Sequence, residues 1–227
     1  KDERASGFKQ EELLVAREIC ITNGTIEASI EAIKDGISFN IAGGTHHAFS
    51  NKPEGFCLLN DQAIASMHLL KNKLASKILI VDLDVHQGNG TAEILSQEPR
   101  VFTFSMHGEK NYPSNKPSSN LDIGIPDLTT DDEYLMILKK NLNEIFDTFQ
   151  PDFVFYQSGV DVLKSDKLGR LSLTLNGCMQ RDELVYRICK KNNIPVTTTM
   201  GGGYSENIKI ILDAHCNTFK TGIANYL

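Results

Sequence analysis

KILIVDLDVHQGNG, residues 77–90, decides how the rest of the chain is read. Four apolar residues, Ile78 to Val81, form a short run of the kind that makes a strand buried on both faces. The run then ends in Asp82, Asp84, His86 and two glycines. Burying a carboxylate without a partner is costly, so the chain must compensate both aspartates elsewhere. Residues i and i+2 of an extended segment point to the same side, so Asp84 and His86 reach one point near the strand end.

Outward from this stretch, strand-like and helix-like segments alternate, which predicts an α/β fold with a largely parallel sheet. Strands are expected at 37–44, 77–84, 101–105, 152–159 and 194–200. Helical patterns cover 10–34, with a break possible at Asn23-Gly24, then 57–74, a short helix from Thr91, 131–149, 178–192 and a last helix from near Ser205. Thr129 or Thr130 is the expected cap of the helix over 131–149, whose first turn carries Asp131, Asp132 and Glu133. A Pro/Ser/Asn-rich loop fills 108–120.

Each expected strand runs into polar or glycine-rich residues at its carboxyl end: AGGTHH, DLDVH, SMH, SGVD and MGGGY. In parallel α/β sheets these ends converge, so a site distributed over five loops is expected on one edge. Asp84, His86 and Asp161 supply two carboxylates and an imidazole, a set that leaves a metal with open positions, as catalysis requires. Such donors suit Zn²⁺, and also Fe²⁺ or Co²⁺. Taken alone, Asp84 and His86 read as a turn cap and a loop histidine, and Asp161 reads equally as a helix cap. His46 and His47 follow a glycine turn and have the ionisation range for general acid and base work, with a ligand role as the competing reading. Tyr204, presented by three glycines, is placed to donate to a developing oxyanion; the glycines lack the spacing of a phosphate loop.

The bulk numbers bound the class. The 227 residues suffice for one domain, and a net charge of −6 gives no reason to expect nucleic-acid or membrane-surface binding. No apolar run has the length of a membrane span and no signal peptide is evident. Five scattered cysteines without a CxxC pair read as free thiols in a reducing compartment, with the cytoplasm as the default. The chain opens on Lys1 and the charged run KDER, and it is read as a fragment or processed chain.

In order, GGTHHAF, EGFCLLND, DLDVHQGNGT, SGVD and GGGY resemble the metal-dependent histone deacetylase family, which includes bacterial deacetylases, acetylpolyamine amidohydrolases and acetoin-utilisation relatives. DVHQGNG and the SMHGEKNYP loop look most like the class IV deacetylases and their bacterial relatives. The resemblance spans about residues 40 to 210. It implies an arginase/deacetylase-like α/β fold, a mostly parallel sheet flanked by helices on both faces. It also implies a single deacetylase domain over 1–227, without the family's N-terminal strand, helices and rim loop. Carried over residue by residue, Asp84, His86 and Asp161 match the metal ligands, His46 and His47 the catalytic histidines, and Tyr204 the carbonyl-polarising tyrosine. Phe56 and Tyr112, with Leu168, match walls of an acyl-lysine tunnel, and Gly44 and Gly202 lie where backbone approaches it. Asp82 matches the support of the first histidine and joins the carbonyls of Asp84, His86 and Met106, with Ser105, in a potassium site.

The resemblance implies hydrolysis of an acetylated lysine, on a protein or a small acetylated amine. An arginase-type enzyme with two metals and a non-catalytic acyl-lysine-binding fragment are the competing classes. The first would need a second carboxylate-rich set, and the second has no use for an acid/base pair. Catalysis by Cys57 is a further rival, with a small buried packing role as its alternative. One departure stands out. Some family members carry aspartate where this chain has Asn89, and a neutral amide should support a charged His47 less well.

Overall fold

The apolar run at 78–81 is buried because it lies inside a sheet with helices on both sides. The computed structural model describes residues 2–9 and 11–226. The strands are β1 (Ile37–Asn40), β2 (Ile78–Asp82), β3 (Val101–Gly108), β4 (Leu121–Ile125), β5 (Phe153–Gln157) and β6 (Val196–Thr199). The helices are α1 (Asp2–Ser6), α2 (Glu12–Asp35), α3 (Asp61–Lys71), α4 (Asn89–Leu95), α5 (Asp131–Thr148), α6 (Leu175–Lys191) and α7 (Ile208–Tyr226). The strand order is β1-β6-β5-β2-β3-β4 and every neighbouring pair is parallel.

Alternate side chains of one strand serve two cores, as the pleat requires. Ile78 and Ile80 of β2, with Phe153 and Phe155 of β5, pack against Ala32 of α2 and Leu69 of α3. Leu79, Val81, Val154 and Tyr156 face the opposite way, onto Leu138 and Leu142 of α5, Val185 of α6 and Ala214 of α7. The expected fold class is thus the observed one.

From β2 the chain moves outward to β3 and β4, whereas from β5 it moves the other way to β6. The strands β2 and β5 are neighbours, and their pairing continues through Leu83 N–H to the Gln157 carbonyl at 3.1 Å. Their carboxyl ends therefore flank a topological switch point, where open α/β sheets place ligands.

Several boundaries differ from the sequence-based expectation. Residues 121–125 form an edge strand that the hydropathy pattern conceals, because LDIGI is only partly buried and carries aspartate and glycine. The helix α2 runs unbroken through Asn23-Gly24. A side chain at Gly24 would press within 3.2 Å of Asn40, so the small residue serves close packing there. Residues 57–60 are loop, and α3 begins after Asn60, whose side chain caps Ala63 N–H at 3.1 Å. Thr130 occupies the position before α5 without making a capping bond. The neighbouring Asp131 instead accepts from Thr174 N–H and Oγ1, at 2.9 and 2.7 Å. Thr174 caps α6, which starts at Leu175 instead of 178. At the last helix, Ser205 is engaged with Ser165 at 2.7 Å, and α7 starts at Ile208.

Asp61, at the start of α3, fixes the loop that follows β1. Its buried carboxylate accepts from Gly44 N–H (3.0 Å), Thr45 N–H (2.9 Å) and the Thr25 hydroxyl (2.6 Å). Removing it leaves buried donors unpaired, each costing about 1–3 kcal/mol. Asp61→Ala is therefore expected to lower the unfolding free energy by at least about 2 kcal/mol in urea denaturation. An unchanged denaturation midpoint would show that the loop is held by other contacts.

Candidate active site

The loops after β1, β2, β5 and β6 meet over the switch point and line a cleft of about 740 Å³. At its base, the donor atoms of Asp84, His86 and Asp161 all lie within 4.8 Å of one another. His86 Nδ1 is 3.1 Å from Asp84 Oδ1 and 3.1 Å from Asp161 Oδ2. Backbone donors complete the cradle: Gly202 N–H and His86 N–H reach Asp84 at 2.7 and 3.0 Å, and Val85 N–H reaches Asp161 at 2.9 Å.

The charges here are crowded. Burial and the adjacent Asp84 charge push the Asp161 carboxyl up to about 7. Burial also opposes ionisation of Asp84, but His46 and His86 outweigh it and hold that carboxyl well below its usual range. Burial would depress His86, yet Asp161 and Asp84 raise it to about 10. One imidazole N–H thus serves two buried carboxylates. A divalent cation would meet all three donors, replace the shared proton and leave coordination positions open, so the set fits a metal.

The two histidines stand beside these donors, with ring centroids 4.1 Å apart. His46 Nδ1 is 2.7 Å from Asp82 Oδ2, so the opening pair of aspartates is compensated by two different partners. Burial opposes protonation of His46, but Asp82 and Asp84 prevail and raise it to about 9. His47 Nδ1 is 2.6 Å from Asn89 Oδ1. Burial and the neighbouring His46 charge push His47 well below its usual range. The surroundings thus bias the two rings in opposite directions, His46 toward the cation and His47 toward the neutral form.

Tyr204 lines the same cleft, and burial together with Asp84 and Asp161 raises its phenol to about 12, so it remains a proton donor. Its backbone N–H is anchored on Asp166 Oδ2 at 2.6 Å, while Asp166 Oδ1 accepts from Leu168 and Gly169 N–H. Phe56, Tyr112 and Leu168 form the mouth and remain about half exposed. Gly44 adopts φ +104°, and a side chain there would collide with the Gly201 backbone at 2.9 Å.

The sequence matches the model of the histone deacetylase domain over residues 9–219. The chain belongs to the histone deacetylase family. It is 33% identical to histone deacetylase 2 of Arabidopsis thaliana, covering 88% of this chain and 53% of that one. It is 32% identical to human histone deacetylase 1, covering 89% of this chain and 43% of the relative. The chain thus spans about half the length of these named relatives. An uncharacterized protein of Picosynechococcus sp. is 45% identical over 95% of this chain and 72% of its own length. Among solved structures, the HDA15 HD domain superposes with a TM-score of 0.75 at 25% identity, covering 88% of this chain and 61% of that one.

The remaining residues singled out in the sequence lie one layer behind the cleft. Asp82 and Ser105 are register partners across β2 and β3, and Met106 is fully buried beside them. The Ser105 hydroxyl is 2.9 Å from His107 Nδ1. Four cleft features were not anticipated. Phe8 stacks on Phe56 at 5.5 Å, Phe56 itself takes φ +65°, and Asp166 and Glu54 brace the mouth. All four are products of tertiary contact between segments whose local sequence is ordinary.

Cys57 faces the cleft wall but is buried, and burial pushes its thiol far above its usual range. It is therefore a packing residue, since the thiolate is the reactive form. Iodoacetamide at pH 8 is expected to alkylate exposed Cys20 and Cys216 and to spare Cys57, as read by mass spectrometry. Rapid labelling of Cys57 would reopen its candidacy as a nucleophile.

Proposed function

We propose that the chain is a metal-dependent amidohydrolase that removes an acetyl group from a lysine side chain, on a protein or on a small acetylated amine. The observation that carries this reading is the division of the two histidines between a carboxylate, His46 Nδ1 on Asp82 at 2.7 Å, and an amide, His47 Nδ1 on Asn89 at 2.6 Å, beside the buried Asp84–His86–Asp161 donor set. A group that only binds acyl-lysine needs no such division, and nothing favours the two-metal alternative.

Asp84, His86 Nδ1 and Asp161 would hold the ion, with Zn²⁺ the first choice and Fe²⁺ or Co²⁺ compatible with the donors. Bound there, a divalent ion supplies Lewis acidity toward the acyl carbonyl and makes water a better nucleophile. His47, neutral and oriented by Asn89, accepts the proton of the attacking water as its oxygen bonds to the acyl carbon. Asp82 keeps His46 protonated, so positive charge stands beside the developing negative charge. Tyr204 donates its hydroxyl hydrogen to the tetrahedral oxyanion. When the C–N bond breaks, the histidine pair returns a proton to the leaving amine, and no covalent intermediate forms. Phe56, Tyr112 and Leu168 enclose the apolar stem of the lysine, and Gly44 and Gly202 leave room for backbone beside it.

A potassium ion at Asp82, Ser105 and the carbonyls of Asp84, His86 and Met106 is part of the same proposal; it would neutralise charge behind His46. No helix among the described residues is long and apolar enough to cross a membrane. Free thiols at all five cysteines agree with a reducing compartment such as the cytoplasm. The acidic net charge gives no support for contact with nucleic acid.

Tyr204→Phe tests the mechanism without disturbing the metal donors. The expected outcome is a fall in kcat on an acetyl-lysine peptide of about 10²–10³, typical of losing one oxyanion donor. Metal content by emission spectroscopy should be unchanged. Turnover within twofold of the parent would remove Tyr204 from the chemistry.

A further inference from the structure

Asn89 supports His47 with an amide where a carboxylate would hold a charged imidazole more firmly, and an amide can point either way. If it rotated, Nδ2 would face His47 Nδ1 and favour the wrong imidazole tautomer. The structure fixes it from both ends. Gly90 N–H donates to Asn89 Oδ1 at 3.1 Å, and Asn89 Nδ2 donates to Glu54 Oε1 at 2.7 Å. Glu54 is mostly buried, with 16% of its side chain exposed, and Lys52 Nζ meets its other oxygen at 2.5 Å. The same Oε1 also accepts the Tyr112 hydroxyl at 2.5 Å, and the Tyr112 ring stands edge-on to His47 with centroids 5.1 Å apart.

The directions of these bonds are set by chemistry. An ionised carboxylate only accepts, so the amide must turn its NH₂ toward Glu54 and its oxygen toward His47. The oxygen in turn only accepts, so His47 carries its proton on Nδ1 and keeps the Nε2 lone pair free. Lys52, Tyr112 and Asn89 all favour the charged form of Glu54 and lower its carboxyl despite burial.

We propose that Glu54 is a positioning residue, which orients the Asn89 amide and thereby fixes His47 as the Nδ1–H tautomer. The negative charge absent from position 89 sits one hydrogen bond further out, and it doubles as the anchor of the Tyr112 wall. The inference rests on reading His47 as the general base of the proposed reaction.

The test uses the zinc-loaded full chain, with kcat and KM on an acetyl-lysine peptide and ¹⁵N NMR shifts of the His47 ring. The variants are Glu54→Gln, Glu54→Leu, Asn89→Asp and the double variant Asn89→Asp with Glu54→Leu. Glu54→Leu is expected to lower kcat about ten- to hundredfold, the usual cost of losing an outer partner, and to show His47 as mixed tautomers. Glu54→Gln, which keeps an acceptor oxygen, should recover most of kcat. In the Asn89→Asp background a carboxylate faces His47 directly, so Glu54→Leu should no longer lower kcat, although KM still rises through Tyr112. Should Glu54→Leu fail to fold, Glu54→Ala carries the same expectations. A pure Nδ1–H signal with unchanged kcat in Glu54→Leu, or an equal kcat loss in both backgrounds, would overturn the proposal. Absence of turnover in the zinc-loaded parent would count against the deacetylase reading alone, because the tautomer signal tests Glu54 independently.

Discussion

Two carboxylates buried side by side at the carboxyl ends of β2 and β5 set the terms for everything around them. Asp84 and Asp161 are almost wholly excluded from solvent, and an unpaired buried charge is among the costliest things a fold can hold. The surrounding chain answers with His46, His86 and the backbone N–H groups of Val85, His86 and Gly202. It also answers with glycine. A side chain at Gly159 would lie 2.2 Å from Asp84 Oδ2, and one at Gly202 would lie 2.0 Å from Asp161 Oδ2. Gly159 of SGVD and Gly202 of GGGY are therefore small because carboxylates occupy the space that side chains would take.

Behind this pair, Arg181 is fully buried and ties the framework together. It donates to the carbonyls of Leu83 and Gly159 at 3.2 and 2.6 Å, immediately beside the strands that carry the two aspartates. Asp182 pairs with it at 2.7 Å and accepts from Tyr156 and Thr218 in turn. A buried cation on one side and backbone donors on the other thus fix the segments that carry the two aspartates.

The central strands were legible because Ile78–Val81 and Phe153–Tyr156 are short continuous apolar runs rich in β-branched and aromatic residues, the pattern of a strand buried on both faces. The cleft was legible for a related reason. Each aspartate or histidine alone has an ordinary reading as a cap or loop residue, but polar or glycine-rich residues at the ends of five expected strands converge on one sheet edge. The edge strand β4 was not, since LDIGI meets solvent on much of its surface and its local composition reads as loop. Thr130 precedes α5 without a capping bond, and the polar contact at this end is instead Asp131 accepting from Thr174, 43 residues away. Glu54 was invisible for the same reason. Its meaning lies in contacts with Asn89 and Tyr112, 35 and 58 residues distant, and no local pattern encodes them.

The proposed reaction depends on one metal ion held by Asp84, His86 and Asp161. The most direct test is calorimetric titration of Zn²⁺ into the metal-stripped chain, run in parallel with release of amine from an acetyl-lysine peptide. The account predicts one ion per chain, turnover that rises in proportion to occupancy, and loss of both in Asp161→Asn. Two ions per chain, or turnover that persists without metal, would contradict it.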